Sequence, residues 1–256
     1  MSLSRHSRLP AACLTAVLAL CAVQPVQAES ARSVFARAVS SEKRGDYAAA
    51  ASLFRKLADQ GHAGAQFNLG TLYDEGRGVP QDQRRAFRWY RKAAAQGHAN
   101  AQYNLGLSYY NGQGTEKNLA KAAEWFLRAA RNGQPSAQYN LAQMYINGIG
   151  IDKDVRQALI WYYNAAQQGH MQAQYNLGVM YYQGEGVARD YIKAAQWFRA
   201  AAEQGHSSAQ YNLGVMYAKA NGVPYDKARA AYWFKRAAQQ GHTEARKMLN
   251  RLSSAP

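Results

Sequence analysis

The sequence predicts an all-α protein, an α-solenoid of antiparallel helix pairs in 36-residue repeats. The first observation is that five tryptophans recur at a constant interval of 36 residues. They are Trp89, Trp125, Trp161, Trp197 and Trp233. The second is a hexapeptide with the same interval, Ala-Gln-Tyr/Phe-Asn-Leu-Gly/Ala, which begins at Ala65, Ala101, Ala137, Ala173 and Ala209. A fixed period of about 20–50 residues is typical of solenoids, in which each unit buries its apolar face against its neighbours.

Residues 1–28 are predicted to be a secretory signal peptide. Arginines near the start precede an apolar run over 11–23, and small residues at Val26-Gln27-Ala28 supply a cleavage site. The run is shorter than the roughly 20 residues that a helix needs to span a bilayer. We therefore expect cleavage after Ala28, a periplasmic or secreted mature protein, and no transmembrane segment in that mature protein.

Both cysteines, Cys13 and Cys21, fall within the predicted signal peptide. Lipid attachment at Cys21 is the alternative, but Leu20 before it is not the small residue that lipoprotein signals prefer. Cleavage after Ala28 removes both thiols. The mature protein is then predicted to have no disulfide and no cysteine metal ligand.

The chain is strongly basic, with a formal net charge of +15 and a pI near 9.9. Such a charge first suggests nucleic acid as a partner, but the expected export argues against it, and no nucleic-acid partner is predicted. One predicted helix carries a local basic cluster: Arg84, Arg85, Arg88, Arg91 and Lys92. This cluster is interpreted either as a solvated face or as a surface that attracts an anionic envelope polymer.

Each repeat is predicted to contain a helix A, a glycine turn and a helix B, over about 100–111 and 118–132 in the second full copy. Helix B begins at an N-capping side chain in every copy, namely Asp82, Asn118, Asp154, Asp190 and Asp226. It ends at a Gly-His sequence in most copies, where glycine is a usual helix stop. In the last repeat Ala220 replaces the first turn glycine, which predicts a locally altered turn.

The residues at the two ends depart from the repeat and are predicted to be caps. Segment 29–62 fits as a capping unit of 34 residues if two residues are removed from its turn, which brings Ala31, Phe35 and Val39 onto core positions. Five full repeats follow over 63–242. Segment 243–256 begins in phase with a helix A and is predicted to form a C-terminal capping helix and tail.

The two sides of helix A have different predicted roles. Ala101, Leu105 and Gly106 fall on the side that packs against helix B, where the tryptophans are interpreted as core residues and not as ligand contacts. The opposite side lines the concave surface of a helix-pair solenoid. Its candidate partner-binding residues are Phe67, Asn68, Tyr103, Asn104, Leu107, Tyr110, Tyr139, Asn140, Ile146, Tyr175, Asn176, Tyr182, Tyr211 and Asn212.

The repeated unit resembles the Sel-1-like repeat family, a relative of the tetratricopeptide repeat. The resemblance is carried by the hexapeptide followed by Tyr109, Gly112, Gly114, Asn118, Lys121-Ala122, Trp125-Phe126 and Ala129-Ala130. It implies a right-handed superhelix that acts as an adaptor for protein complexes. The 34-residue first unit looks more like a plain tetratricopeptide repeat. This chain departs from the cysteine-stapled branch of the family, because it has no cysteine after the signal.

The predicted function is a non-catalytic scaffold, an adaptor or regulator that holds a protein or peptide partner in the concave groove. Asparagines can pair with a peptide backbone and tyrosines supply large contact areas. The opposing interpretation is that the asparagines only bond within the stack, and both interpretations stay open here. Binding of peptidoglycan or an anionic envelope polysaccharide through the basic, tyrosine-rich surface is the second candidate function.

Catalysis and metal binding have weaker signals. Ser40 and Lys43 have the three-residue spacing of a serine acylase motif, which would suggest a cell-wall hydrolase, but the companion motifs are absent. One histidine per repeat, with no acid or thiol beside it, favours a role in the turn over a metal site. The chain is therefore not predicted to be an enzyme, and no cofactor or metal is predicted.

Overall fold

The computed structural model describes residues 30–254, and they form antiparallel helix pairs stacked in chain order. The helices are α1 (Ala31–Lys43), α2 (Tyr47–Asp59), α3 (Ala63–Glu75), α4 (Gln83–Ala95), α5 (Ala99–Asn111), α6 (Leu119–Arg131), α7 (Pro135–Asn147), α8 (Val155–Gln167), α9 (Met171–Gln183), α10 (Tyr191–Glu203), α11 (Ser207–Lys219), α12 (Lys227–Gln239) and α13 (Thr243–Ser254). Each helix packs against the next along the chain. The predicted all-α solenoid is confirmed. The predicted signal peptide, 1–28, lies outside the described residues.

Odd-numbered helices from α1 to α11 are the A helices, and even-numbered ones are the B helices. No helix within 30–254 has both the length and the apolar character needed to cross a membrane.

The predicted caps of the B helices are confirmed: each capping side chain accepts a hydrogen bond from the amide three residues later, at 2.8–3.0 Å in the five full repeats. Each capping residue also donates its own N–H to the carbonyl of a helix A tyrosine, such as Asn118 to Tyr109 at 2.8 Å. These two bonds fix where each hairpin closes.

The paired glycines have two separate physical roles. The first, such as Gly112, ends helix A in the left-handed conformation, with φ of 76°. The second, such as Gly114, also has positive φ and lies against the start of the preceding helix B, where an added Cβ would come 2.1 Å from the carbonyl oxygen of Gln83. The first glycine therefore terminates a helix, and the second permits close stacking of successive repeats.

The turn at Ala220 is not altered, contrary to the sequence prediction. Ala220 takes the same left-handed conformation as the glycines it replaces, with φ of 57°, and its N–H bonds to the carbonyl of Met216. Hydrogen bonding and packing of the hairpin thus hold alanine in a backbone conformation that its Cβ disfavours.

Replacing Ala220 by glycine is expected to stabilise the protein by about 1 kcal/mol, because the strained left-handed conformation is then free of a Cβ clash. Urea denaturation followed by circular dichroism measures the change. Ala218→Gly, inside helix α11, is the matched control and should destabilise by about 1 kcal/mol. If both variants lose stability, Ala220 is not strained.

The interface between helices A and B is filled by the residue after each tryptophan, which corrects the sequence prediction. Phe126 is 1% exposed and its ring lies where a Cβ on Gly106 would come within 2.7 Å. The equivalent residues are Tyr90, Tyr162, Phe198 and Phe234, and all are buried. Trp233 is buried, but the other four tryptophans are half-buried and pack at the borders between repeats. The period identified the spacing, and packing decided which of two adjacent aromatics enters the core.

Buried glutamines of the hexapeptide join successive repeats by hydrogen bonds. They are Gln66, Gln102, Gln138, Gln174 and Gln210. Each Nε2 donates to a carbonyl eight residues earlier, on the preceding helix B, at 3.0–3.2 Å. Each Oε1 accepts from a side-chain amide thirty residues later, at the end of the following helix B, at 2.7–2.8 Å. This glutamine ladder was not identified from the sequence.

The first hairpin has a shorter turn than predicted. Two residues separate Lys43 from the cap Asp46, whereas six separate Glu75 from Asp82, so four residues are missing (6 − 2 = 4). Ala31 is consequently exposed and not a core residue. Phe35 stacks on His62 at 4.7 Å, in the arrangement that Phe67 makes with the next histidine.

Candidate functional site

The candidate partner-binding residues lie along one side of α3, α5, α7, α9 and α11, which we call the A-helix face. All fourteen residues are half-buried, so each presents part of its surface to solvent. Helices α5, α7 and α9 contain no charged side chain, although the chain as a whole is 18% charged. The B helices carry the charge: α4 alone has five basic residues and no acidic one. The helices in the middle of the A-helix face are therefore uncharged, amide-rich and aromatic, while Glu185 and Lys117, from the turns after α9 and α5, lie at its edge.

Three depressions mark this face, and they contain nine of the fourteen predicted residues. A depression of about 350 Å³ includes Leu107, Tyr110 and Asn140. A second, of about 240 Å³, includes Tyr175, Tyr182, Tyr211 and Asn212. A third, of about 210 Å³, includes Ile146 and Asn176. The structure thus brings together residues from adjacent A helices that are about 36 residues apart in sequence.

The other five predicted residues do not line these depressions: Phe67, Asn68, Tyr103, Asn104 and Tyr139. Sequence reasoning in turn missed Phe126 and Phe198, which form the floors of the two larger depressions. The available signal was that a tyrosine or a phenylalanine follows every tryptophan. This pattern indicates a site only when the aromatic residue after each tryptophan is known to point toward the A-helix face.

The recurring tyrosine of the hexapeptide is partly structural, because it stacks on the histidine that begins the next repeat. Tyr139 lies 4.7 Å from His170, and Tyr175 lies 4.3 Å from His206, with nearly parallel rings. The same ring also contacts the core aromatic of its own repeat, as Tyr175 does with Phe198 at 5.9 Å. The ring faces of these tyrosines therefore contact the histidine and the core aromatic, and a ring edge is exposed to solvent.

The histidines are N-caps of the A helices. Nδ1 of His170 accepts a hydrogen bond from the amide of Ala173 at 3.3 Å, and His62, His98, His206 and His242 make the equivalent bond. Gln134 occupies the same position in the remaining repeat and caps through Oε1 at 2.6 Å. The histidines were predicted to act in the turns, and in the structure Nδ1 of each ring accepts the hydrogen bond that caps a helix A.

These histidine caps predict a loss of stability in mild acid. Burial lowers the pKa of His98, His170 and His206 below the usual 6.5, and neighbouring His62 adds to the effect at His98. With a lowered folded-state pKa, the contribution to stability is complete above the unfolded pKa and is lost as pH falls through the folded value. A protonated Nδ1 also cannot accept the capping bond. We expect Tm to fall between about pH 7 and pH 5 in thermal unfolding experiments.

The natural cap Gln134 supplies the control for this prediction. In the triple variant His98→Gln, His170→Gln, His206→Gln, the capping acceptor does not titrate. Its Tm is expected to change less with pH over the same range. An equal change in both proteins would show that other groups cause the acid sensitivity.

The asparagines divide into two groups by the core aromatic beside them. Asn104 and Asn176 adjoin tyrosines, and the hydroxyl of Tyr90 donates to the Thr71 hydroxyl and to the Asp74 carboxylate, both at 3.5 Å. Burial raises the pKa of Tyr90 to about 12, so that hydroxyl stays protonated. Asn140 and Asn212 adjoin phenylalanines, which offer no hydroxyl. Asn140 nevertheless has a partner within the stack, because its Nδ2 donates to the Tyr103 hydroxyl of the preceding helix A at 3.4 Å.

The serine–lysine spacing does not form a catalytic pair in the structure. The hydroxyls of Ser40 and Ser41 accept hydrogen bonds from the Arg44 guanidinium at 2.6 and 3.3 Å. A guanidinium stays protonated and does not act as a general base for a serine. The arrangement at the end of α1 is that of a helix terminus.

The fold and the A-helix face define a helical-repeat protein whose units are stacked hairpins. The Sel1 repeat family model matches residues 41–62, 63–98, 99–134, 135–170, 172–206 and 207–242. The chain belongs to the Sel1 repeat family. The first match covers residues 41–62 of the predicted N-terminal capping unit, 29–62. Sel1 repeats generally form non-catalytic scaffolds for protein interaction.

Two solved structures are similar to this chain over most of its length. A Sel1 repeat protein from Oxalobacter formigenes is 39% identical, with a TM-score of 0.75 over 84% of this chain and 86% of that one. The protective antigen c5321 of uropathogenic Escherichia coli, which displays an SLR fold, is 35% identical, with a TM-score of 0.83 over 87% of this chain and 49% of that one.

Curated relatives match a short part of the chain. The DAP3-binding cell death enhancer 1 of Rattus norvegicus is 50% identical over 44 residues, which is 17% of this chain and 9% of that protein. The protein of the same name from Mus musculus matches to the same extent. The similarity to these relatives thus covers about one repeat.

Proposed function

We propose that this chain is an exported, non-catalytic scaffold that holds a protein or peptide partner on its A-helix face. The observation that carries the proposal is the contrast between the two faces. Three consecutive A helices, α5, α7 and α9, are free of charge and carry half-buried tyrosines, asparagines and depressions, whereas the B helices are basic. An aromatic and amide-rich surface is suited to a polypeptide, because side-chain amides pair with a backbone and aromatics supply contact area.

Site-specific photocrosslinking in the producing cell tests which face binds the partner. Benzoylphenylalanine replaces Tyr110 or Tyr182 on the A-helix face, and exposed Tyr163 or Tyr232 on the B helices as the matched control. The proposal expects the same partner from both A-helix positions and not from the controls. Crosslinks to a polypeptide from the B-helix positions alone would contradict it.

Export to the periplasm is part of the proposal and rests on the features of residues 1–28. The mass of the protein purified from the periplasmic or extracellular fraction should correspond to a chain that begins at Glu29. Recovery of the full-length chain from the cytoplasm would contradict export while leaving the scaffold proposal open to the crosslinking test.

Binding of an anionic envelope polysaccharide or peptidoglycan is the second candidate function, and it would use the B helices. The basic cluster on α4 is fully on the exposed side, comprising Arg84, Arg85, Arg88, Arg91 and Lys92. Lys92 also lies 4.2 Å above the Trp89 ring. Five cations on one helix without an acidic neighbour in that helix attract anionic polymers in a salt-dependent manner.

Co-sedimentation with purified sacculi tests this second candidate. Binding should decrease between about 0.05 and 0.5 M salt, where screening becomes strong. The variant Arg84→Gln, Arg88→Gln, Arg91→Gln should bind less than the wild type, while Lys227→Gln, Lys235→Gln on α12 serves as the control for general loss of charge. Equal binding by all three proteins would exclude the α4 cluster as the binding surface.

A further inference from the structure

Tyr73 on α3 is held between arginines from the two B helices that flank it. Its hydroxyl accepts hydrogen bonds from Nη2 of Arg55 on α2 and, at 3.4 Å, from Nη1 of Arg85 on α4. The two guanidinium carbons lie 5.7 and 5.5 Å from the centre of the tyrosine ring. The tyrosine is 3% exposed, whereas both arginines are exposed. We call Arg55, Tyr73 and Arg85 the Tyr73 cluster.

The same arrangement recurs four repeats later. The hydroxyl of Tyr217 on α11 accepts from Nη2 of Arg199 on α10 at 2.8 Å and from Nη1 of Arg229 on α12 at 3.4 Å. Tyr217 is also 3% exposed. We call these three residues the Tyr217 cluster. Each cluster therefore joins three consecutive helices and brings two guanidiniums to one buried tyrosine.

The positive charge in each cluster exceeds the negative charge beside it. Nε of Arg85 pairs with Oδ2 of Asp82 at 3.1 Å, and Nε of Arg229 pairs with Oδ2 of Asp226 at 3.3 Å. Within residues 30–254, the other arginine of each cluster forms no ion pair with a carboxylate. Two guanidiniums, one carboxylate and a neutral phenol leave an excess of positive charge at each cluster.

The tyrosine hydroxyls supply a further hydrogen-bond donor. In the part of the chain that the structure describes, the hydroxyls of Tyr73 and Tyr217 accept two hydrogen bonds each and donate none. A phenolic hydroxyl carries one hydrogen, which it can donate to an acceptor. The buried ring holds that hydroxyl between the two guanidiniums. Each cluster thus presents N–H donors from two helices together with one O–H donor.

A depression of about 220 Å³ adjoins the Tyr73 cluster, and its lining includes Ser52, Arg55 and Gly78. One water molecule occupies about 30 Å³ in the liquid, so the depression has room for a polyatomic ion. The neighbouring charges in the turn are already paired, because Nε of Arg77 lies 3.1 Å from a carboxylate oxygen of Glu75. Ser52 and Arg55 therefore offer a hydroxyl and a guanidinium to an anion in this depression.

Other repeats show that the fold does not require two arginines at these positions. Around Tyr145 the equivalent residues are Leu127 and Gln157. Two further repeats have a lysine at the second position, namely Lys121 and Lys193. Tyr145 nevertheless packs against the hydrophobic core as a partly buried residue. The paired arginines are thus a property of two repeats and not a requirement of the hairpin.

We propose that the Tyr73 cluster and the Tyr217 cluster are binding sites for a phosphate group. A tetrahedral phosphate offers acceptor oxygens in several directions, so it can bond to guanidiniums on two different helices and to the tyrosine hydroxyl between them. A carboxylate has two oxygens in one plane, which a single guanidinium satisfies. The clusters contain no residue of the A-helix face, so this proposal does not depend on the scaffold function.

Isothermal titration calorimetry of the purified protein with inorganic phosphate tests the proposal. The titrations are done at a constant ionic strength of about 0.15 M, so that general attraction of anions to a basic protein is screened. Two phosphate ions per chain are expected to bind. Acetate should bind at least about tenfold more weakly, because it cannot bond to both guanidiniums and the hydroxyl at once.

Glycerol 1-phosphate, titrated in the same way, identifies the source of the phosphate group. An esterified phosphate on a polymer or lipid and the free ion share the same oxygens. Binding of the ester comparable to that of inorganic phosphate supports the proposal with an esterified ligand. Binding of inorganic phosphate alone supports it with the free ion as the ligand.

Variants that remove one donor from each cluster test the geometry. In Arg55→Gln, Arg199→Gln, a guanidinium is lost from an exposed position of each cluster, and the Kd for phosphate is expected to rise at least about tenfold. In Tyr73→Phe, Tyr217→Phe, the buried ring remains and only the O–H is absent. The Kd is then expected to rise about threefold or more, as for the loss of a neutral donor.

The matched control is Arg84→Gln, Arg131→Gln, which removes the same two charges from exposed B-helix positions outside the clusters. Its Kd for phosphate should stay within about twofold of the wild-type value, because exposed charges at a distance are screened. Thermal unfolding followed by circular dichroism shows whether each variant is folded. The tyrosine variants keep the test valid if the arginine variant is unstable, since a phenylalanine ring fills the same space.

Three results would overturn the proposal. One is an equal loss of phosphate affinity in the cluster variants and in the control, because net charge alone would then explain binding. The second is acetate binding as tight as phosphate binding, and the third is the absence of phosphate binding at up to about 10 mM. In each case a polypeptide crosslinked from Tyr110 and Tyr182 would leave the scaffold function standing.

Discussion

Gly114→Ala is expected to destabilise the protein by about 3 kcal/mol or more. An added Cβ would lie 2.1 Å from the carbonyl oxygen of Gln83 and 2.6 Å from its carbonyl carbon, and both are backbone atoms that cannot rotate away. Relief requires α4 and the following repeat to separate, which opens packed surface, and alanine at positive φ adds a cost of about 1 kcal/mol. Urea denaturation of the purified variant measures the loss.

Gly112→Ala separates the effect of close stacking from that of backbone conformation. Gly112 has φ of 76°, close to the 70° of Gly114, but its added Cβ would meet only Lys117 atoms, the nearest of them at 3.4 Å. We expect a loss of about 1 kcal/mol from the left-handed conformation alone. Equal losses in the two variants would show that the approach of the repeats at Gly114 contributes nothing to stability.

Gln138→Leu is expected to cost about 2–3 kcal/mol by interrupting the glutamine ladder in the middle of the solenoid. Its Nε2 donates to the Ala130 carbonyl at 3.1 Å, and its Oε1 accepts from Gln168 at 2.8 Å. The side chain is 5% exposed, so water does not replace both bonds. Because a solenoid is stabilised by contacts between neighbouring units, the unfolding transition should also become broader. Chemical denaturation curves report both changes.

Gln168→Ala removes the same inter-repeat bond from its exposed end and serves as the control. Water can solvate what remains, so the expected loss is below about 1 kcal/mol. In the double variant the two losses should not add, since the shared bond is removed only once. Additive losses would mean that the Gln138–Gln168 bond carries no coupling between repeats.

The charge distribution gives the two faces of the molecule different binding properties. The A helices in the middle of the chain are neutral, and α4 and α12 together hold nine basic residues and no acidic one (5 + 4). A peptide on the A-helix face and an anionic polymer on the B helices would therefore not compete for the same side chains. An anionic polymer bound to the B helices would leave the A-helix face open to a partner.

Helix boundaries and caps were predictable from the sequence because their determinants are local. Asp82 and its equivalents cap B helices, and the turn glycines end A helices, through bonds within a few residues. Ala220 shows the limit of such local reasoning. Its residue type predicts an altered turn, but the hairpin holds it at φ of 57° because the contacts on both sides of the turn outweigh the local preference.

The candidate site was predictable in position but not in detail. Helical periodicity placed Tyr110, Asn140 and Tyr182 on the A-helix face, and the structure gathers them into depressions. Periodicity did not show that His170 stacks on Tyr139 or that Asn140 bonds to Tyr103, since these contacts join residues more than ten positions apart.

The sequence by itself determined the repeat length, the pairing of helices and the caps, because the same local signals recur at a constant period along the chain. Only the tertiary structure decided that Phe126 and not Trp125 enters the core, that Gln138 links three helices, and that pockets lie over Phe126 and Phe198. The physical reason is that adjacent residues on a helix differ by about 100° in direction. A periodic pattern determines the spacing of the units. The packing of one unit on the next determines which of two adjacent side chains points into the core.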